Sequence, residues 1–284
     1  MLSYRHGFHA GNHADVLKHI VLMDCIQRLL RKDAPLLYVD THAGAGSYLL
    51  HEGYAAMNEE WAGGIERLSG FAEPENLTQA MPEAVAGYLS LVRGCAPAYP
   101  GSPLLAARLL RRQDHLALFE LHPGDFAPLS TLFADDNRVQ VRNADGFNAL
   151  RGLLPPISRR ALVFIDPSYE LAADYERVTA SVKEALRRFA TGVYVVWYPL
   201  LEREEARRLP ENLIQLAGTS LDVKLRVRSR APGERGMSGS GMVVLNPPWQ
   251  LREMLDGLLP WLARVLGEDE GAGWSLSSAP ATDT

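Results

Sequence analysis

Leu36-Leu37-Tyr38-Val39-Asp40-Thr41-His42-Ala43-Gly44-Ala45-Gly46 is the stretch that decides the fold class. It begins as an apolar run too short for a helix and closes on a carboxylate at Asp40. A bounded run of this kind suits a strand buried on both faces of a parallel sheet. The small residues after it form a turn where a ligand can approach the backbone with no side chain between. The same plan recurs downstream. Leu116 to Phe119 closes on Glu120, Val139 to Val141 leads to Asn143, Asp145 and Gly146, and Ala161 to Ile165 closes on Asp166. Helical spacing of apolar residues over 14–31, 124–133, 174–189 and 202–209 alternates with these runs, and 192–197 supplies a further strand. Residues 221–228 set Leu221, Val223, Leu225 and Val227 against Asp222, Lys224, Arg226 and Arg228, which predicts a half-exposed strand paired with 241–245. The expected fold is α/β: a mostly parallel, doubly wound sheet with an antiparallel end.

Residues 47–100 interrupt that alternation. They offer helical patterns near 58–69 and 82–93 and no strand. About fifty residues make a poor core alone, so they read as a helical insertion within a single domain spanning 1–284. After Tyr99-Pro100-Gly101, Ser102 suits a helix N-cap and Pro103 the first helical position. The chain has 284 residues, 47% of them hydrophobic, and a formal charge of −5, which excludes a disordered, fibrous or disulfide-dense protein. No apolar stretch is long enough to span a bilayer. Tyr4, Arg5, His6, His9, Asn12 and His13 break up any secretory core. Cys25 and Cys95 sit in apolar helical patterns and read as reduced thiols. A soluble cytoplasmic protein is expected.

In an open α/β sheet, ligands bind at the carboxyl ends of the strands. Asp40, Glu120 and Asp145 stand there with the Gly44 turn. Glu120, after the second core strand, suits a ribose diol, and Asp145, after the third, suits an adenine amino group. NAD and S-adenosylmethionine both fit this pattern. The dinucleotide fingerprint is absent, since Ser47, Tyr48 and Leu49 follow Gly46, and no phosphate-loop lysine appears. Each residue alone also has a plain structural reading as turn or cap.

Asp166-Pro167-Ser168-Tyr169 carries the chemistry. Pro167 stiffens the loop, so Asp166 and the Pro167 carbonyl converge as acceptors with Tyr169 beside them as a flat face. An exocyclic amine is a poor nucleophile because its lone pair is delocalised into the ring. Two placed acceptors favour the electron-rich nitrogen that attacks. Asn246-Pro247-Pro248-Trp249 repeats the chemistry at a poorer position and reads mainly as a turn with Trp249 packed inward. His6, His9, His13, His19 and His42 cluster early without a third soft ligand, so no metal is expected. Lys18 and His19, just before the first strand, can reach a cofactor or the site rim, or serve as a solvated lysine and a cap.

Tyr4-Arg5-His6, Gly11 to His19, Asp40 to Gly46, Tyr99 to Pro103, Glu120-Leu121-His122-Pro123, Asp145-Gly146, the Asp166 loop, Trp197-Tyr198-Pro199 and Gly241 to Trp249 together resemble the RlmJ family over nearly the whole chain. The resemblance implies a class I S-adenosylmethionine-dependent methyltransferase, Rossmann-like, acting on an adenine N6 amine of 23S ribosomal RNA as a monomer. It implies cofactor contacts at Lys18, His19, His42, Gly44, Ser102, Glu120, Asp145, Gly146 and Asp166. It implies catalysis at Asp166, Pro167 and Tyr169, with Tyr4 and His6 on a segment that closes over the site. Ser168 stands where such loops carry a second proline, which implies slower turnover rather than none. DNA adenine and a protein glutamine amide suit the same acceptor loop, and a non-catalytic RNA-binding scaffold is the remaining class. Residues 222–235 hold Lys224, Arg226, Arg228, Arg230 and Arg235 against Asp222 and Glu234, a local +3 that suits an RNA backbone. Arginine pairs at 111–112, 159–160 and 187–188 are further candidates.

Overall fold

Asn12 starts the first helix. Its side chain accepts from the backbone N–H groups of Ala14 and Asp15, opening α1 (His13–Leu30). The computed structural model describes residues 5–71, 80–231, 233 and 236–279. After α1 come β1 (Leu37–Asp40), β2 (Ser47–Tyr48), α2 (Ala55–Asn58), α3 (Ile65–Phe71), α4 (Glu83–Arg93) and β3 (Tyr99–Pro100). Then follow α5 (Ser102–Leu109), β4 (His115–Phe119), α6 (Pro123–Leu132), β5 (Val139–Arg142), α7 (Gly146–Leu153), β6 (Ala161–Ile165) and α8 (Ala172–Arg188). The chain continues with β7 (Val193–Pro199), α9 (Glu204–Ile214), β8 (Ser220–Arg226), β9 (Gly239–Leu245), α10 (Leu251–Leu266) and β10 (Gly273–Ala279).

Eight strands form one sheet in the order β10-β8-β9-β7-β6-β1-β4-β5. β5, β4, β1, β6 and β7 are parallel neighbours. β9 runs against both β7 and β8. All residues of β6 and β7 are buried, as continuous apolar runs require of strands covered on both faces. The expected mixed α/β class stands, with three revisions at its far end. β8 is half-exposed only toward its end: α9 and α10 pack on it and Asp222 is buried, accepting from the Tyr198 hydroxyl, while Lys224 is partly exposed and Arg226 exposed. α10 and β10 also extend the fold beyond the last predicted strand. The helical spacing of Leu251, Leu255, Leu258, Leu262 and Val265 was legible, whereas Gly273–Ala279 has only the weak alternation of an edge strand.

Between β1 and α5, the ladder Ser47↔Pro100 and Tyr48↔Tyr99 joins the two ends of the intervening segment at its base. Its side chains do not form a separate core. Trp61, Ile65, Leu68, Val85, Tyr88 and Leu89 are buried in the same cluster as α1 and α10. Ser102 is not an N-cap. Gly101 takes that place, and Ser102 turns its hydroxyl onto Asp40 instead. Cys25 is buried in α1, but Cys95 lies past the end of α4 and is half-exposed; both are free thiols. Among the described residues no helix is long and apolar enough to cross a membrane. Arginines of all three suspected pairs have partners within the fold. Arg111 and Arg160 donate to carbonyls at the end of α1 and in the turn after it, and Arg187 and Arg188 both pair with Glu184.

Gly64 sets how closely the segment approaches α1. Ile65 N–H donates to Gly11 O at 2.8 Å, and a Cβ on Gly64 would lie 2.0 Å from that same carbonyl oxygen. Backbone cannot swing aside as a flexible side chain can. Gly64→Ala is therefore expected to destabilise the fold by about 1–3 kcal/mol, the usual cost of overpacking. Urea unfolding measures it, and a wild-type midpoint would refute the packing assigned here.

Candidate functional site

The carboxyl ends of β1, β4, β5 and β6 border a cavity of about 510 Å³. Its wall includes His6, Lys18, His19, His42, Gly44, Ser102, Glu120, Asp145, Gly146, Asp166 and Pro167. Residues scattered over 160 positions of sequence thus meet at one sheet edge, because parallel strands deliver every strand-end loop to the same side. Tyr4 falls outside the described residues.

Glu120, at the end of β4, is pinned by two backbone donors. Gly44 N–H reaches Oε2 at 2.8 Å and His122 N–H reaches Oε1 at 2.6 Å. Burial pushes its carboxyl above the usual range, and these two donors oppose that rise. A carboxylate has about four acceptor sites, so two remain for a ligand. Asp145 is more occupied. It caps α7 through Phe147 and Asn148 N–H, and its other oxygen pairs with Arg177 at 2.7 Å. Gly146 beside it has no alternative, since a Cβ there would sit 2.2 Å from Thr41 O at the end of β1. Asp40 is no ligand. It is fully buried, it accepts from Tyr38 and Ser102 hydroxyls at 2.8 and 2.7 Å, and burial pushes it up to about 6.

Two imidazoles line the cavity in neutral form. Burial pushes His19 down to about 3 and His42 down to about 4. His19 Nδ1 meets the Tyr99 hydroxyl at 3.0 Å, leaving Nε2 for the cavity. Thr41 spends its one hydroxyl hydrogen on Phe164 O at 3.0 Å, so His42 Nδ1, 2.8 Å away, must be the donor. That assigns the tautomer and leaves Nε2 as an acceptor.

The third group of side chains centres on Lys18, which is 3% exposed. Its ammonium lies 2.8 Å from Asp15 Oδ1, 2.6 Å from Asp166 Oδ2 and 5.3 Å from the centre of the Trp197 ring. Burial works against its charge, but Asp15 and Asp166 hold it above its ordinary range. Asp15, fully buried, is held well below its ordinary value against burial by His6, Lys18 and His19. It also accepts from Gly11 N–H and bonds His6 Nε2 at 3.1 Å. Arg5, next in the chain, spans to Asp125 on α6 at 2.9 Å. The first described residues therefore cross the cavity mouth, tied to α1 on one side and α6 on the other.

The Asp166 loop departs from expectation at Tyr169. Its ring is 3% exposed, lies 4.6 Å from the Tyr175 ring and donates its hydroxyl to Trp197 O at 2.6 Å. A face so covered is not open to stack on a base in this arrangement. Tyr169 instead anchors the loop, at a left-handed φ of 52°, an uncommon conformation for a bulky residue that concentrates at functional sites. The second copy sits at the other end of the molecule, because β9 is antiparallel to β7 and its carboxyl end faces away. Asn246 donates there to Ala190 O and Gly192 O. It is a turn as expected, but Trp249 is 76% exposed rather than packed inward. Sequence reasoning missed Asp15, Thr41 and Arg177, whose only signal was proximity to residues already chosen. No cluster suited to a metal ion occurs among the described residues.

The family model for ribosomal RNA large subunit methyltransferase D, RlmJ, matches residues 33–277. Ribosomal RNA large subunit methyltransferase J of Escherichia coli K12 is 45% identical over 269 residues, covering 92% of this chain and 93% of that one. The Haemophilus influenzae protein of the same name is 41% identical over 97% of this chain and 98% of its own. A crystal structure of a Legionella pneumophila protein superposes with a TM-score of 0.85 at 32% identity, covering 97% and 99% of the two chains.

Two outcomes test the electrostatics. Lys18→Met leaves two buried carboxylates facing each other and is expected to cost about 3–5 kcal/mol in urea unfolding; a loss under 1 would mean that Lys18 is solvated. His19 titrates near 6.5 when unfolded and near 3 when folded. The unfolded chain thus binds the extra proton below 6.5. The stability His19 contributes is complete above that pH and lost as pH falls toward 3. Melts from pH 7.5 to 4.5 should fall less steeply for His19→Gln than for the wild type; equal slopes would contradict the assignment.

Proposed function

The chain belongs to the RlmJ family of ribosomal RNA large subunit methyltransferases, and from that premise and the cavity we propose that it methylates the N6 amine of an adenosine in 23S ribosomal RNA. The carrying observation is the Lys18–Asp166 pair at 2.6 Å, on the wall of a cavity whose other side is built for a nucleoside. S-adenosylmethionine, when bound, supplies an electrophilic methyl group on a sulfonium.

The residues present fit that group. Glu120 offers two unused acceptor sites for a ribose diol. Gly44 and Gly146 let the floor close tightly, against the Tyr48 hydroxyl and the Thr41 backbone. His19 and His42, held neutral, add no positive charge beside a cation, while Glu120, Asp125, Asp145 and Asp166 give the wall an acidic balance. Lys18 and Ser102 complete the set of cofactor contacts in this reading.

At the target, Asp166 accepts a hydrogen of the exocyclic amine through the oxygen that Lys18 does not hold. Lys18 fixes that carboxylate in place, so little reorganisation is needed as the amine gains charge. Pro167 stiffens the approach, and Tyr169 positions the loop from behind. His6, bonded to Asp15, holds the first described segment at the mouth. Ribosomal RNA as substrate assigns the protein to the cytoplasm. DNA adenine and protein glutamine remain chemically suited to the same acceptor, but family membership favours RNA.

Asp166→Ala is expected to abolish transfer of labelled methyl to 23S RNA while S-adenosylmethionine affinity stays within a few-fold, because the lost interaction strengthens in the transition state. Glu120→Ala should do the reverse, weakening cofactor binding by roughly 1.5–3 kcal/mol in calorimetry. Near-normal methylation by Asp166→Ala would overturn the mechanism.

A further inference from the structure

The carboxyl edge of the sheet carries a second concavity, of about 830 Å³, beyond the end of β7 and bordered by α9, the end of β8 and the start of β10. β7 and β8 each pair antiparallel with β9, so they point the same way and β8 ends at the same edge as Asp166. Lys224, Arg226, Arg228 and Arg230 recur at every second residue of its wall, and Arg207 faces them from α9; Glu202 and Glu211 are the acids there. Within β8 that repeat, Lys224 to Arg226, is about 6.6 Å, a step comparable to that between successive phosphates of an extended nucleic-acid strand, and the chain carries Arg228 and Arg230 on past the strand end. On a chain with a net charge of −5, this density of cations is concentrated rather than general.

Two more observations mark the groove. Trp274 on β10, 43% exposed, stands in the wall beside the cations, an aromatic face open to solvent. The groove also adjoins the target site. Its wall begins at Tyr198 and Pro199, directly after Trp197, whose carbonyl takes the Tyr169 hydroxyl that anchors the Asp166 loop. Lys224 lies 3.1 Å from Asp222, and Arg228 lies 3.9 Å from Glu268. The partly exposed Arg228 pair contributes little and exchanges readily for phosphate, whereas Lys224 keeps a buried partner in Asp222 while its ammonium stays partly exposed.

We propose that this groove seats the RNA strand flanking the target adenosine. Lys224, Arg226, Arg228 and Arg230 face successive phosphates, and Trp274 stacks on an unpaired base. The assignment rests on the ribosomal RNA reading of the Asp166 site and adds where the rest of the substrate lies.

The test uses the full chain and 23S RNA transcribed in vitro, with equilibrium binding across a salt series alongside steady-state methylation. For the triple variant Lys224→Gln, Arg226→Gln and Arg230→Gln, KM for RNA should rise about tenfold near 0.1 M salt. The slope of log affinity against log salt should flatten by about 2, the release of three single-strand phosphate contacts. The kcat at saturating RNA and the affinity for S-adenosylmethionine should match wild type. Trp274→Ala should weaken RNA binding about fivefold or more, and Trp274→Phe should restore most of it. A triple variant with wild-type KM and slope overturns the groove while leaving the reaction standing, as does weaker binding with an unchanged slope. Failure of the wild type to methylate RNA overturns the reaction itself.

Discussion

Everything at the site leans on one buried cation. Lys18 lies between two carboxylates, one fully inside the protein at Asp15 and one at the cavity at Asp166. Neither acid is tolerable alone at that depth, and neither is the ammonium. Held together, they are a rigid unit that reaches from the core to the reacting position. Asp15 extends the unit backwards to Gly11 and His6, so the beginning of the chain and the Asp166 loop are registered against a single point. The Trp197 ring near the ammonium joins β7 to the same unit.

The carboxyl edge of the sheet is divided electrically. Over β1, β4 and β5 the wall is acidic, and His19 and His42 in it are held neutral, which suits a cationic small molecule. Over β7, β8 and β10 the wall is basic, which suits a polyanion. Asp166, directly after β6, lies between the two. A protein of net negative charge needs no global basicity to engage nucleic acid when its cations are gathered on one wall.

The central strands were legible because burial on both faces leaves no choice of residue. Ala161 to Ile165 is apolar throughout, and its bounds follow from the polar residues at either end. Glu120 and Asp145 were legible as strand-end groups for the same topological reason, whereas His42 came only with the family resemblance. Tyr169 was misjudged because sequence reports an aromatic but not the left-handed backbone that turns it toward Tyr175 and Trp197. The alternation of 221–228 was a true strand signal and marked exposure rightly at Lys224 and Arg226, but not at Asp222, which finds the Tyr198 hydroxyl and can be buried. Ser102 had the chemistry of a cap, and only the nearby buried Asp40 reveals why its hydroxyl points elsewhere. Partnerships between distant polar groups carry no local pattern.

The position of β1 also governs the order of assembly. Its partners are β4 and β6, with Leu37 opposite His115 and Ala161, both far along the chain. No hairpin can shelter it, and closing such long loops is slow. During synthesis the apolar run Leu36 to Val39 therefore leaves the ribosome well before anything exists to cover it. α1 waits longer still, since β9 and α10, which pack on it, come later in the chain. The strand at the middle of the finished sheet is, for the nascent chain, an apolar run that must stay soluble until both of its neighbours exist.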